Sequence, residues 1–260
     1  MINKKKIWLV LAGILVIASI FFIVYYFQRK IENTTHLDIA ATNINQTEVF
    51  NQSNASIVTE KTGEEKEAFL PAKFLLSVPF QPQAPYADWS QPYEDACEEA
   101  AIIIVEHYWQ NKLLSKEEMK SEIDASVAWQ KQNWGGHHDL PADQILKLTK
   151  DYFGLDGKVI RGYLLDDLKK IIHSGEPIIA PTAGRRLGNP NFRGAGPEYH
   201  NIVIIGYNDS QGIFITNDPG TRNGKSYIYK YETVLSAISG PNENMEKAVV
   251  VLGEWQISNA

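Results

Sequence analysis

The chain of 260 residues contains one cysteine, Cys97, and three methionines. Without a second cysteine no internal disulfide can form, so Cys97 is buried, paired between chains, or a working thiol. No basic stripe marks a nucleic-acid footprint, and the formal net charge is only −6. Metal-ligand spacing is also missing. His137 and His138 stand side by side, but no further Cys or His lies where it would complete a site, so neither metal nor cofactor is expected. No internal repeat, nucleotide-binding motif or transporter domain is recognisable in the chain.

Charge is absent from one long stretch near the start. After Lys4, Lys5 and Lys6, residues Ile7 to Phe27 (IWLVLAGILVIASIFFIVYYF) carry neither a charge nor a proline. A helix of that length spans about 32 Å, enough for the hydrocarbon core of a bilayer. Trp8, Tyr25 and Tyr26 lie near its ends, as interfacial aromatics do. A secretory signal peptide is the competing reading, but the run continues into Tyr25-Tyr26-Phe27-Gln28-Arg29-Lys30, which has no small-residue cleavage site. The expectation is an uncleaved anchor over 7–27 that partners a lipid bilayer, with a cytoplasmic tail over 1–6. Three lysines before it against Arg29 and Lys30 after it place the larger C-terminal part on the extracellular side. Residues 28–72 are polar and rich in Asn, Thr, Glu and Ser, and read as a disordered tether with a reach of about 35–40 Å.

A folded domain is expected over 73–260. FLLSVPF follows Lys73, and a proline-rich loop leads to an apolar helix from about Ala96 to Asn111. Ser115 caps a polar helix that Trp134-Gly135-Gly136 breaks. Asp139, Leu140 and Pro141 open another that ends at Gly154, and Leu164 to His173 forms a short amphipathic helix. The period then changes. Pro177 to Pro181 reads as a buried strand, and Gly184 to Gly196 as a long loop. Tyr199 to Tyr207 and Gly212 to Thr216 read as two strands joined by Asn208-Asp209-Ser210-Gln211. Ser226 to Tyr231 alternates as a strand, Glu232 to Ile238 as a helix, and Ala248 to Leu252 closes as a strand. Helices first and strands later is an α+β pattern, a helical half packed on an antiparallel sheet.

Cys97 falls where the loop turns into the apolar helix. Asp95 can cap that helix, and Glu98 can reach back as in a capping box. In the first turn a thiol lies under unpaired N–H groups and the positive end of the helix dipole, which favours thiolate. Thiol catalysis also needs an imidazole and a group that holds it. His36 lies in the tether, and His107 is on the same helix about 15 Å away. His173 closes a surface helix. His200 opens an apolar strand after a glycine-rich loop, and the next strand ends in Asn217-Asp218-Pro219-Gly220. A hairpin returns the chain to the end it started from, so Asp218 can orient His200. The competing reading of Asp218 is a turn residue before Pro-Gly. Arg185, Arg186 and Arg193 precede His200 and either contact an acidic substrate or form a solvated face.

These landmarks carry a resemblance. Val78-Pro79-Phe80, Gln83, Trp89, Cys97, His200 in YHNIVIIGYN and Asp218 in NDPG resemble the papain-like cysteine peptidases of the bacteriocin-processing type, family thirty-nine of the cysteine peptidases, and its standalone relatives. The resemblance covers about Lys73 to Trp255. It implies a papain-like fold and a peptide or protein substrate, with Cys97 as nucleophile, His200 as general base and Asp218 as orienter. It also implies an oxyanion-hole glutamine ahead of the cysteine. Gln83 matches that place best, with Gln81 and Gln91 close by. Family members typically have glycine after the cysteine, whereas Glu98 and Glu99 stand here, and these carboxylates support the helix N-terminus but oppose thiolate formation. An amidase or acyl transferase acting on cell-wall peptides, and a non-catalytic peptide-binding module on the same scaffold, are the alternatives.

Overall fold

The computed structural model describes residues 70–238 and 247–253. All of these residues belong to one compact unit. The expected tail, the anchor over 7–27 and all but the last residues of the tether lie outside the described residues. Among the described residues no helix is long and apolar enough to cross a membrane.

The first strand is β1 (Lys73–Leu75), and a single 3-10 turn (Tyr93–Asp95) leads into α1 (Cys97–Trp109). The helices α2 (Lys116–Asn133) and α3 (Ala142–Leu148) follow, the latter continued by a π turn (Thr149–Phe153). Next come β2 (Gly157–Arg161), α4 (Leu165–His173), β3 (Ile178–Ala183) and a single turn, α5 (Gly184–Leu187). The remaining elements are β4 (Tyr199–Asn208), β5 (Ile213–Asn217), β6 (Tyr227–Lys230), α6 (Tyr231–Ala237) and β7 (Ala248–Leu252). One sheet runs β2-β7-β3-β4-β5-β6, with β1 paired to the far end of β4. Every pairing in it is antiparallel. The architecture is α+β, as the order of helical and strand periods implies.

Apolar content decides what lies at the centre. β3, β4 and β7 are near-continuous apolar runs, and the sheet interior buries them on both faces. α1 is apolar nearly all round, and Ala100 to Val105 are all 0 % exposed. A helix with no polar stripe has to be enclosed. α1 accordingly packs against β4 on one side and α2 on another. At the start of α2, Ser115 Oγ accepts from the Glu118 N–H at 3.1 Å while Glu118 Oε2 accepts from the Ser115 N–H at 2.8 Å. Ser115 is the expected cap, and the reciprocal bond from Glu118 completes a capping box.

Two elements depart from the expectation. α5 occupies the start of the long loop after Ala183. β2 has no counterpart in the periodicity reading, because its five residues begin and end in Gly and Arg and are only half buried. Its identity as a strand comes from β7, which pairs with it along its whole length, Gly157 to Leu252 through Arg161 to Ala248.

Candidate active site

His200 lies near the start of β4, and Asp218 directly follows β5. The hairpin register runs from Asn208 opposite Ile213 to Val203 opposite Asn217, which brings Asp218 back to the beginning of β4. His200 Nε2 is 2.7 Å from Asp218 Oδ1. A carboxylate accepts only, so Nε2 carries the hydrogen and Nδ1 is the basic nitrogen. The same Oδ1 accepts from the Gly220 N–H at 3.0 Å. Oδ2 accepts from Asn189 Nδ2 at 3.0 Å and from the Tyr229 hydroxyl at 2.5 Å. Burial works against the charge on Asp218, but His200 and these donors outweigh it and hold the carboxyl below its usual range.

The loops on either side of β4 and β5 close around the imidazole. Phe192 meets the ring edge-on, with centroids 5.2 Å apart. Gly220 leaves room for it, since a Cβ there would come within 2.6 Å of His200 Cε1. The two loops are joined by Asn223 Nδ2, which donates to Asn191 Oδ1 at 2.9 Å. Cys97 is 4 % exposed and His200 2 %, so both groups are covered in this structure.

Cys97 is the first residue of α1, as expected, but its surroundings differ from the expectation. Ala96 is the N-cap, with no side-chain cap. Asp95 instead accepts from Gln91 Nε2 at 2.5 Å. Glu98 turns inward rather than back to the cap. Its Oε1 accepts from the Leu140 N–H at 2.7 Å, and its Oε2 accepts from the Cys97 thiol at 3.1 Å. Asn201 Nδ2 points at the sulfur from the other side, 3.6 Å away. Burial first, and the Glu98 carboxyl second, push the thiol well above its ordinary pKa, with Asn201 pulling the other way. The expectation of a thiolate favoured by the helix dipole is therefore corrected. Desolvation and an adjacent carboxyl exceed a dipole effect of about 0.3–1 kcal/mol.

Of the three glutamines, Gln81 donates to Leu114 O and Gln91 to Asp95. Gln83 is buried, and its Nε2 donates to Tyr93 O at 2.9 Å and Glu94 O at 3.0 Å, in the turn just ahead of Cys97. Its backbone N–H donates to Pro219 O at 2.9 Å. Gln83 thus ties the approach to Cys97 to the residue after Asp218, with both side-chain hydrogens engaged on carbonyls.

The other groups sort themselves. His107 binds Leu113 O and Glu122 at the rim of α1, and His173 packs on Phe74. His137 Nε2 lies 3.3 Å from Glu99 Oε1. Burial opposes a charge on His137, but Glu99 more than compensates and raises its pKa. Arg185 pairs with Glu198 and Arg186 donates to Ser236 O, so two of the three loop arginines tie the loop to its surroundings. Among the described residues no three His, Cys, Asp or Glu side chains gather as a metal site. The structure therefore brings His200 to Asp218, brings Cys97 to the residue beside His200, and brings Gln83 to the turn before Cys97. Among the described residues the hydrogen bonds of the thiol run to Glu98 and Asn201. Asn201, Asn189 and Tyr229 were not legible as part of the site. Glu98 was legible from its place directly after the cysteine, as a carboxylate that opposes the thiolate.

No curated protein matches the sequence. Solved structures similar to this chain include two bacterial proteins. A C39-like peptidase from Bacillus anthracis is 17 % identical with a TM-score of 0.46, over 71 % of this chain and 98 % of that one. Xylellain, a cysteine protease from Xylella fastidiosa, is 15 % identical with a TM-score of 0.41, over 78 % and 95 %. Residues 75–247 match the model of the Peptidase_C39 like family. That span takes in Cys97, His200 and Asp218 and most of the chain, so this protein belongs to the Peptidase_C39 like family and is a cysteine peptidase.

Proposed function

We propose that this chain is a membrane-anchored, exported peptidase that cleaves peptide bonds through a thioester on Cys97. His200 Nδ1 takes the thiol proton, and the sulfur attacks the substrate carbonyl. The imidazolium then protonates the departing amine, and the amine leaves the thioester behind. Water, deprotonated by the same nitrogen, attacks the thioester and releases the carboxylic acid, and the thiol is restored. Asp218 keeps Nε2 protonated and stabilises the imidazolium. Helical N–H groups at the start of α1, that of Cys97 first, face the developing oxyanion. Gln83 joins them by exchanging one of its two backbone carbonyls for the oxyanion.

The observation that carries this reading is the 2.7 Å contact of His200 with Asp218, on the strand whose next residue touches the Cys97 sulfur. The anchor rests on the uncharged run from Ile7 to Phe27. Alkylation with iodoacetamide or an E-64-type probe, compared with Cys97→Ala, tests the nucleophile. His200→Ala is expected to abolish peptide cleavage while the protein stays folded, and retained cleavage would overturn the assignment. Sedimentation with membranes, lost on deletion of 7–27, tests the anchor.

A further inference from the structure

Glu98 has no part in the proposed chemistry, yet its carboxyl is 0 % exposed directly beside the nucleophile. Burying a carboxyl is costly, and the cost is tolerated only where partners offset it. One partner is structural, since Leu140, 42 residues along the chain, is held to the helix tip through Oε1. That leaves Oε2 unexplained, and its partner is the Cys97 thiol at 3.1 Å. The sulfur is thereby set between two opposed influences. The Glu98 oxygen accepts S–H and stabilises the thiol, whereas Asn201 Nδ2 donates towards sulfur and stabilises thiolate. Asn201 Nδ2 is itself steadied by the Tyr199 hydroxyl at 3.1 Å, and that hydroxyl donates to Leu140 O.

The other ionisable groups around the pair come from every neighbouring element. Glu99 follows on α1 and is engaged by Gln130 of α2 at 2.6 Å and by His137. Tyr199 comes from β4 and feels the charges of both Glu98 and Cys97, and Asp139, from the loop before α3, acts on the same phenol. Burial first and the Glu99 charge second raise the Glu98 carboxyl well above its usual range.

We infer that Glu98 and Cys97 form a hydrogen-bonded pair that holds the nucleophile as a thiol in the closed site, and that passing the sulfur from Glu98 to His200 is a distinct step before catalysis. Glu98 is a positioning residue that acts through Cys97. In that step the sulfur turns about its Cα–Cβ bond and its proton goes to His200 Nδ1, giving thiolate and imidazolium. Glu98 gives up the S–H hydrogen bond and neither gains nor loses a proton. The inference rests on Cys97 being the nucleophile.

The test is the pH dependence of iodoacetamide alkylation at Cys97 in the full chain. Failure of wild type to alkylate above the Cys97→Ala control would refute the catalytic reading itself, before Glu98 is altered. Glu98→Gln places an amide where the carboxyl accepts, and is expected to lower the alkylation midpoint by about one pH unit and to speed labelling at pH 7 up to about tenfold. Glu98→Asp withdraws the carboxyl by one methylene and shifts the midpoint in the same direction by less. It carries the test if Glu98→Gln does not fold. Asn201→Leu removes a donor and raises the midpoint. A purely structural Glu98 would change thermal stability alone, so a midpoint unmoved or raised in the folded Glu98 variant overturns the inference.

Discussion

Asp218 takes the Nε2 hydrogen of His200 at 2.7 Å, and three further donors, from Gly220, Asn189 and Tyr229, complete its coordination. Every acceptor site on the carboxylate that the fold can reach is aimed at by a hydrogen. Such a group has one stable charge state and one orientation, and it confers both on the imidazole.

Asp218→Asn places an amide N–H₂ among four donors and no longer enforces the Nε2–H tautomer. Peptide cleavage is expected to fall by about a thousandfold or more while Cys97 still alkylates. Stability also changes with pH in a defined direction. The folded-state pKa of Asp218 lies below its ordinary value of 3.8, so its contribution is present above about pH 4 and is lost as pH falls through the depressed value. Urea unfolding between pH 5 and pH 3 should show this loss in wild type and a smaller one in Asp218→Asn.

Gly220→Ala tests the packing of the imidazole rather than its charge. The added methyl would stand 2.6 Å from His200 Cε1 and 3.0 Å from Phe192 Cε1, so the ring has to move. A displacement of even about 1 Å in a catalytic group lowers turnover by about a hundredfold. Steady-state kinetics should show that loss in kcat, with a cooperative thermal transition retained. Unchanged kcat would mean that the ring position is not critical.

Glu106 on α1 gives a prediction away from the site. Burial, and then the Glu122 charge, raise its carboxyl to about 7. The folded-state value exceeds the unfolded one, so the associated stability is complete below about pH 4.5 and is lost as pH rises through about 7. Glu106→Gln cannot ionise. It is expected to match wild type at pH 4.5 and to exceed it at pH 8 by about 1–2 kcal/mol, after allowing for solvent screening of a partly exposed group. Urea titrations at the two pH values measure the difference directly.

Short-range patterns in the sequence were enough to determine several features. An apolar run with no polar stripe makes α1 a buried helix, whatever encloses it. Ser115 determines the start of α2, because its capping bond lies within one turn. The hairpin β4–β5 brings His200 and Asp218 to one end of the sheet, because an antiparallel turn returns the chain to its origin. Only the tertiary structure decided the rest. β2 is a strand because β7, about ninety residues later in the chain, pairs with it. The donors on Asp218 come from Asn189, 29 residues away, and Tyr229, 11 residues away. The character of Cys97 was decided in the same way. Its helix-tip position is local and argues for thiolate, but burial, Glu98 turned towards Leu140, and Asn201 at a separation of 104 residues set the actual balance. Desolvation depends on everything that surrounds a group, and no spacing along the chain encodes it.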